Sequence, residues 1–302
     1  MPHTSYYTEI ERCIEFVERT DLVKRKSNIK VIRIPIPTPT LLPHTTTNSY
    51  LIGNEEESIL VDAGYDTEDT RKLLEWEINK HGLARPKRIV LTHAHQDHAP
   101  GVRMLIHWMP TILCHEKEEE QVLSAISPWE EITLIEDEDS IKVDGEEIIV
   151  MHTPGHTLGH VSLYIPSEQI LIAGDNIVAE GTTWIGAPDG DMKDYLQTLQ
   201  RLRNLKIEKI GPGHGKWVHQ PHEHIDFVIQ RRLHREQQLL TLLEKHQQIT
   251  SKELTEIIYQ DRIHPSVFPV AQKTIEAHLD KLLKEDLIQY DESKSSYVSP
   301  HF

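Results

Sequence analysis

Hydrophobic positions along this chain follow two periods, and the alternation between them lays out the elements. Residues 30–36 alternate apolar and polar side chains. Short, branched-aliphatic runs recur at 49–52, 58–61, 89–91, 111–114, 140–143, 146–151, 170–172 and 207–210. Runs this short, closed by Gly, Asp or Pro, read as strands. Asp144-Gly145 between two of them is a hairpin turn, and the acidic stretch 53–57 joins another pair. Pro35, Pro37, Pro39 and Pro43 predict an irregular crossing that no central strand could contain. Helical spacing takes over elsewhere. Asp66-Thr67-Glu68-Asp69 opens a helix with Leu73, Leu74, Trp76 and Ile78 on its packing face. Residues 101–108 predict another, and Glu116 to Glu120 reads as a solvated helix face. Residues 6–28 predict a lead-in helix carrying Ile10, Cys13, Ile14 and Val17 on one side. The alternation of strands and helices, repeated in the second half, implies an α/β chain with two β-layers covered by helices on both outer faces.

Near Pro221 the pattern changes. Residues 223–246 form one long helical pattern with Ile225, Val228, Ile229, Leu233, Leu239, Leu240 and Leu243. A short helix capped at Thr250 or Ser251 follows, then an amphipathic one over 272–283. Two short strands around 288–290 and 296–298 flank a polar turn. Three helices and a small hairpin describe a winged helix. The expected organisation is a lead-in helix at 1–29, a first domain at 30–222 and a winged-helix-like domain at 223–302.

Charge narrows the partners. The formal net charge is −16 over 302 residues, so a polyanion meets long-range repulsion unless a local basic patch overrides it. Residues 230–302 hold 10 Lys+Arg against 11 Asp+Glu. Duplex DNA is therefore not an expected partner of the tail, which is expected to pack or to gate substrate. Cys13 and Cys114 make no disulfide framework. No run reaches the apolar length of a membrane span, and the N-terminal stretch has neither the basic start nor the apolar core of a secretory signal. A cytoplasmic location with no membrane partner is the expectation; the oligomeric state is left open.

Candidate chemistry concentrates after the 89–91 strand, in Thr92-His93-Ala94-His95-Gln96-Asp97-His98. Imidazole and carboxylate are the nitrogen and oxygen donors that Zn²⁺ and similar divalent ions prefer. If the segment stays extended, residues 93, 95 and 97 project to one side and His98 to another. Four donors this close fit two adjacent ions better than one. Three more settings follow strand-like runs: Thr153-Pro154-Gly155-His156, Ala173-Gly174-Asp175 and Gly211-Pro212-Gly213-His214.

These motifs, in this order, resemble those of the metallo-β-lactamase-fold hydrolases. The winged-helix tail, with 175–183 and 234–238, resembles the β-lactamase-like protein 2 subgroup. The resemblance covers roughly residues 30–300 and implies an αββα sandwich. It implies that His93, His95 and His156 hold a first ion, that Asp97, His98 and His214 hold a second, and that Asp175 lies between them. It also implies that Asp62 supports the site without ligating, and that Pro100 stands where many relatives have Gly. His160 is expected behind the site as a hydrogen-bonding group. His44, His107, His115, His152, His219, His222 and His224 are expected to be ordinary polar or partly buried residues.

Two divalent ions, with Zn²⁺ as the default and Mn²⁺ or Fe²⁺ also suited to these donors, would lower the pKa of a shared water towards neutrality. Asp97 is the candidate to orient that nucleophile or shuttle its proton. The chain then reads as a binuclear metallo-hydrolase acting on an ester, thioester or lactone of a small molecule. Thr182, Thr183 and Trp184 are candidates to line its pocket. The alternative is a single-stranded RNA endoribonuclease, which needs basic or aromatic side chains lining a groove beside the ions. A third reading is a non-catalytic, metal-bound partner-binding module, against which an open bridging position argues.

Overall fold

The computed structural model describes residues 28–39 and 44–299. The lead-in helix expected at 6–28 lies, but for its last residue, outside them. Strands β1 (Lys30–Pro37), β2 (Thr46–Gly53) and β3 (Ser58–Val61) run antiparallel as a meander. Helix α1 (Glu68–His81) crosses to β4 (Arg88–Val90), which pairs parallel with β3. A 3-10 segment (Pro100–Trp108) leads to β5 (Thr111–His115), and α2 (Glu119–Ile126) leads to the edge strand β6 (Thr133–Ile135). The six strands lie in chain order. A second sheet holds β7 (Ser140–Val143), β8 (Glu146–His152), β9 (Val161–Ile165), β10 (Ile170–Gly174) and β11 (Lys209–Pro212), antiparallel except where α3 (Met192–Arg203) crosses between β10 and β11.

Period-two alternation sorts the side chains of these strands into three packed cores. Tyr50, Ile52, Ile59, Val61 and Val90 face Ile148, Val150, Leu163 and Ile172 across the gap between the sheets. Their chain neighbours Leu51, Leu60, Ile89 and Leu91 turn the other way, onto Leu74, Ile78, Val102, Leu105 and Val122. On the far side Tyr164, Leu171 and Ala173 meet Tyr195, Leu196, Leu199, Ile225 and Val228. Each fully buried aliphatic side chain here contributes roughly 1.5–3 kcal/mol of transfer free energy. The expected αββα sandwich is therefore present.

Helix α4 (Pro221–His246) runs from one core into the next. Its first turns place Ile225, Val228 and Ile229 against the second sheet's outer face, and its last place Leu239 and Leu243 in a separate cluster. That second cluster is the tail: β12 (Gln248–Ile249), α5 (Ser251–Tyr259), α6 (Phe268–Lys284), β13 (Gln289–Asp291) and β14 (Ser296–Val298) around Leu254, Ile258, Ile275, Leu279 and Tyr297. Thr250 caps α5 in a reciprocal capping box with Glu253. The short β12-β14-β13 sheet completes a winged helix.

Some local expectations need correcting. Pro35 and Pro37 lie inside β1, not beyond it, because β1 is a sheet edge where a missing N–H costs no ladder bond. Trp76 is 56% exposed, its indole covered by the Lys80 ammonium instead of the core. Leu233 is exposed where α4 passes between its two cores.

Candidate metal centre

The ligand loop leaves β4 and is pinned at both ends by the Asp62 carboxylate. Asp62, at the end of β3, accepts from Thr92 N, from Thr92 Oγ1 and from His98 Nδ1, each at 2.8 Å. It holds a left-handed backbone, φ 58°, to do so, a strained conformation for a residue other than glycine. Between these anchors the chain does not stay extended. His98 N and Ala99 N both donate to His95 O, at 2.9 and 3.1 Å. That turn overturns the extended-segment expectation for Asp97, which sits with His98 instead of on the side of His93 and His95.

All seven predicted donors converge. His93, His95 and His156 form one group, Asp97, His98 and His214 a second, and Asp175 joins His93 and His98 in a third. His93 Nε2 and His156 Nε2 each lie 3.0 Å from His95 Nδ1. Asp175 spans the two sides, with Oδ1 3.3 Å from His98 Nε2 and Oδ2 3.2 Å from His214 Nε2 and 3.7 Å from His156 Nε2. Nitrogens about 2.0–2.1 Å from a shared tetrahedral zinc would stand roughly 3.3 Å apart, close to what is seen.

Tautomers provide the test of fit. His156 Nδ1 donates to Trp184 O at 2.8 Å and His214 Nδ1 to Thr46 O at 2.9 Å. His98 Nδ1 donates to Asp62, and His93 Nδ1 donates to Thr92 Oγ1 at 2.9 Å, since that hydroxyl's own proton goes to Asp62. With each outer nitrogen carrying a proton, the Nε2 atoms of His93 and His156 turn lone pairs inward, and those of His98 and His214 face the Asp175 carboxylate. His95 is reversed: its Nε2 lies 3.5 Å from Asp189 Oδ2, and its Nδ1 faces the other rings. Lone pairs that face one another repel unless a cation lies between them. Consistent with this, His98 Nε2 and Asp175 Oδ1 are buried without a hydrogen-bond partner. Ligand nitrogens oriented from behind in this way are the rule in metal sites.

Electrostatics agree. Burial pushes His156 down to about 4 against the opposing pull of Asp175. Burial opposes charge on His98 too, but Asp175, Asp97 and Asp62 win and raise it well above the ordinary imidazole range. Burial disfavours ionised Asp175, yet His214 and His98 hold its carboxyl well below the usual range. The centre thus favours added positive charge. His93 and His98 are fully enclosed, whereas His95 and Asp97 keep partial exposure, so it opens to solvent on their side.

The structure adds residues that sequence reasoning missed. Glu118, expected on a wet face, is 4% exposed. Its carboxylate accepts from Ala94 N at 3.0 Å and from Gly159 N at 3.1 Å, tying two ligand-bearing loops together. Thr47 Oγ1 donates to Asp97 Oδ2 at 2.6 Å. His160 is buried behind the site, its Nδ1 accepting from Asn176 Nδ2 at 2.9 Å. It belongs to none of the donor groups among the described residues. Gly213 is required by close approach, since a Cβ there would lie 1.9 Å from Asp175 Oδ1. His44 stacks on His214 at 5.1 Å and His115 on His152 at 4.1 Å, while His219, His222 and His224 join no donor cluster among the described residues.

A sandwich with this histidine and aspartate centre at the strand ends, followed by a winged helix, defines a class. Residues 42–214 match the family described as the Metallo-beta-lactamase superfamily, and residues 250–296 match the Beta-lactamase associated winged helix domain. The chain belongs to the metallo-beta-lactamase superfamily. More particularly, it is 31% identical over 266 residues to the Beta-lactamase-like protein 2 homolog of Caenorhabditis elegans, covering 85% of this chain and 82% of that one. It is 27% identical to an Atrochrysone carboxyl ACP thioesterase of Aspergillus fumigatus, over 72% of this chain and 66% of the relative. The crystal structure of a metallo-beta-lactamase family protein from Thermus thermophilus superposes with a TM-score of 0.73 at 24% identity, over 90% of this chain and 98% of that one. No helix among the described residues is long and apolar enough to cross a membrane.

Proposed function

We propose that this chain is a binuclear metal-dependent hydrolase acting on an ester, thioester or lactone bond. The observation that carries this reading is the outer hydrogen bond on Nδ1 of His93, His156, His98 and His214, which leaves each Nε2 facing the centre. Two divalent ions held by the seven donors would lower the pKa of a shared water and polarise a substrate carbonyl. His93, His95 and His156 are suited to one ion, and Asp97, His98 and His214 to the other, with Asp175 reaching both. Zn²⁺ is the ion this donor set suits best, and Mn²⁺ and Fe²⁺ share the preference for imidazole and carboxylate.

Asp97 does more than bind. Thr47 holds one of its oxygens, and the partly exposed carboxylate sits where it can orient the attacking water and take its proton. The loop at 182–184, whose Trp184 O supports His156, is the candidate wall of the substrate pocket. A thioester is favoured within the class by the relative named as an ACP thioesterase.

A second reading, cleavage of single-stranded RNA, draws on one observation: Arg231, Arg235, Trp184 and Tyr259 line a cavity reaching this same loop. Basic and aromatic side chains together are what such a substrate requires. The deciding experiment assays an acyl thioester, an acyl lactone and an RNA oligonucleotide side by side, with Zn²⁺ and with Mn²⁺. Thioester or lactone turnover that disappears in Asp97→Ala is the expected result. Metal- and Asp97-dependent cleavage of RNA alone would replace it with the second reading, and no such turnover on any of the three would overturn both.

A further inference from the structure

Behind the wall at 182–184 lies a cavity of ≈ 260 Å³ between the sandwich and the tail. Arg231, Arg232 and Arg235 from α4, Trp184 from the wall, and Tyr259 and His278 from the tail contribute to it. We propose that this cavity is an anion subsite that binds a phosphate ester carried on the non-reacting part of the substrate. The inference rests on the hydrolase reading and adds to it a group that the substrate carries.

Charge is the first argument. Three guanidiniums gather in a chain of formal net charge −16. Among the described residues no carboxylate lines the cavity, and none forms an ion pair with Arg231, Arg232 or Arg235. Surface arginines normally find a carboxylate or spread apart, because gathered like charges repel. These are held in place by aromatic rings and neutral oxygens. Arg232 lies 5.4 Å over Tyr195 and donates to Thr183 O; Arg235 lies 4.9 Å over Tyr259 and donates to Gln238 Oε1 at 3.1 Å. Arg231 lies 5.7 Å over Phe227. Burial presses the Arg232 and Arg235 guanidiniums below their ordinary range, and Arg231 adds to the pressure on Arg235.

Unsatisfied polar atoms are the second argument. Arg232 is 5% exposed, and the donors Arg232 Nε and Trp184 Nε1 are buried without a hydrogen-bond partner. Buried donors left unpaired destabilise the fold unless a ligand supplies acceptors. An oxyanion beside them supplies acceptors for Arg232 and Trp184, and the planar fork of arginine matches phosphate geometry.

Position is the third. Thr183 O accepts from Arg232, and the next carbonyl, Trp184 O, accepts from His156 Nδ1 at 2.8 Å. The cavity and a metal-facing histidine therefore share two consecutive peptides. The tail grips the far end of the same loop, where Lys273 Nζ donates to Ala187 O at 3.2 Å and Lys284 pairs with Asp191. A group seated beside Thr183 is one residue along the chain from the carbonyl that holds His156.

Calorimetric titration of the metal-loaded full chain tests this without turnover. The probes are pantetheine 4′-phosphate, unphosphorylated pantetheine and a single-stranded tetraribonucleotide. At least one phosphate-bearing probe is expected to bind about tenfold or more tighter than pantetheine. The double variant Arg231→Gln/Arg235→Gln is expected to abolish that advantage with its thermal midpoint unchanged, and Asp97→Asn to preserve it. Arginine-dependent preference for pantetheine 4′-phosphate assigns the site to a small phosphorylated substrate, and for the tetraribonucleotide to a nucleic-acid phosphate. Binding no tighter than pantetheine, or an advantage lost in Asp97→Asn but kept in the arginine variant, would place phosphate at the metal centre or nowhere and overturn the proposal. Failure here leaves the turnover assay untouched, so the two readings fail separately.

Discussion

Asp62 Oδ2 lies 2.8 Å from His98 Nδ1, and the same carboxylate takes both the backbone N–H and the hydroxyl of Thr92. One side chain thus sets the tautomer of one predicted ligand and the start of the loop that carries three more. Asp62→Asn tolerates the left-handed backbone but presents an amide donor where His98 needs an acceptor. Metal affinity is expected to fall about 10–100-fold, the usual cost of losing such a support. Competition with a chromophoric chelator measures it, and an unchanged affinity would remove Asp62 from the site's supporting structure.

Glu118 bridges loops whose attachment points are far apart in the chain, at Ala94 and Gly159. Glu118→Ala leaves two enclosed backbone donors without acceptors, at about 1–3 kcal/mol each. Chemical denaturation is expected to show a loss of that order, with lower metal occupancy at equal free metal. A variant with wild-type stability and full occupancy would mean the loops hold themselves.

The protein prepared without chelator is expected to carry about two divalent ions per chain by elemental analysis. Removing them leaves lone pairs and carboxylates crowded together, so the apo-protein should melt lower and recover on adding Zn²⁺. Ligand linkage sets the scale: about 4 kcal/mol at a free metal concentration a thousandfold above Kd. His98→Ala should keep the fold while reducing occupancy towards one ion. A melting temperature indifferent to metal contradicts the assignment.

His278 couples tail stability to pH. Burial pushes its imidazole down to about 4, although Glu236 at 3.3 Å pulls the other way. Its folded pKa is thus below the unfolded value near 6.5. As pH falls from about 6.5 towards 4 the unfolded chain takes up a proton that the folded chain refuses, so this residue's contribution declines. The limiting slope is about 1.4 kcal/mol per pH unit. Urea denaturation at pH 7 and pH 5, monitored on the tail, should show a smaller loss in His278→Gln than in the wild type. Equal losses would show that other groups govern the acid sensitivity.

How much of this was legible beforehand differs by residue. The four donors at 93–98 could be named from their density just after a strand-like run, and His156, Asp175 and His214 because the resemblance to the metallo-β-lactamase-fold hydrolases implies them. The sandwich could be named because runs of strand and helix character alternate along both halves of the chain, in agreement with the fold the resemblance implies. Trp76 and Leu233 were misplaced because helical spacing defines a face without saying how wide the covering neighbour is. Glu118 could not be singled out from the acidic run around it, since nothing local marks the one carboxylate that turns inward.

By itself the order of residues determined which side chains could bind metal, the alternation that makes two layered sheets, and a winged-helix tail with almost balanced charge. Tertiary structure decided what those side chains do. It bent the His95–His98 segment so that Asp97 joined His98, committed each outer imidazole nitrogen to a particular acceptor, and set an arginine cluster from α4 against the loop that supports His156. The physical reason is range. Periodicity and donor type are properties of neighbours along the chain, whereas a tautomer, a bridging carboxylate or a guanidinium held against a distant carbonyl is defined by groups tens or hundreds of residues away, and exists only once packing has brought them within hydrogen-bond reach.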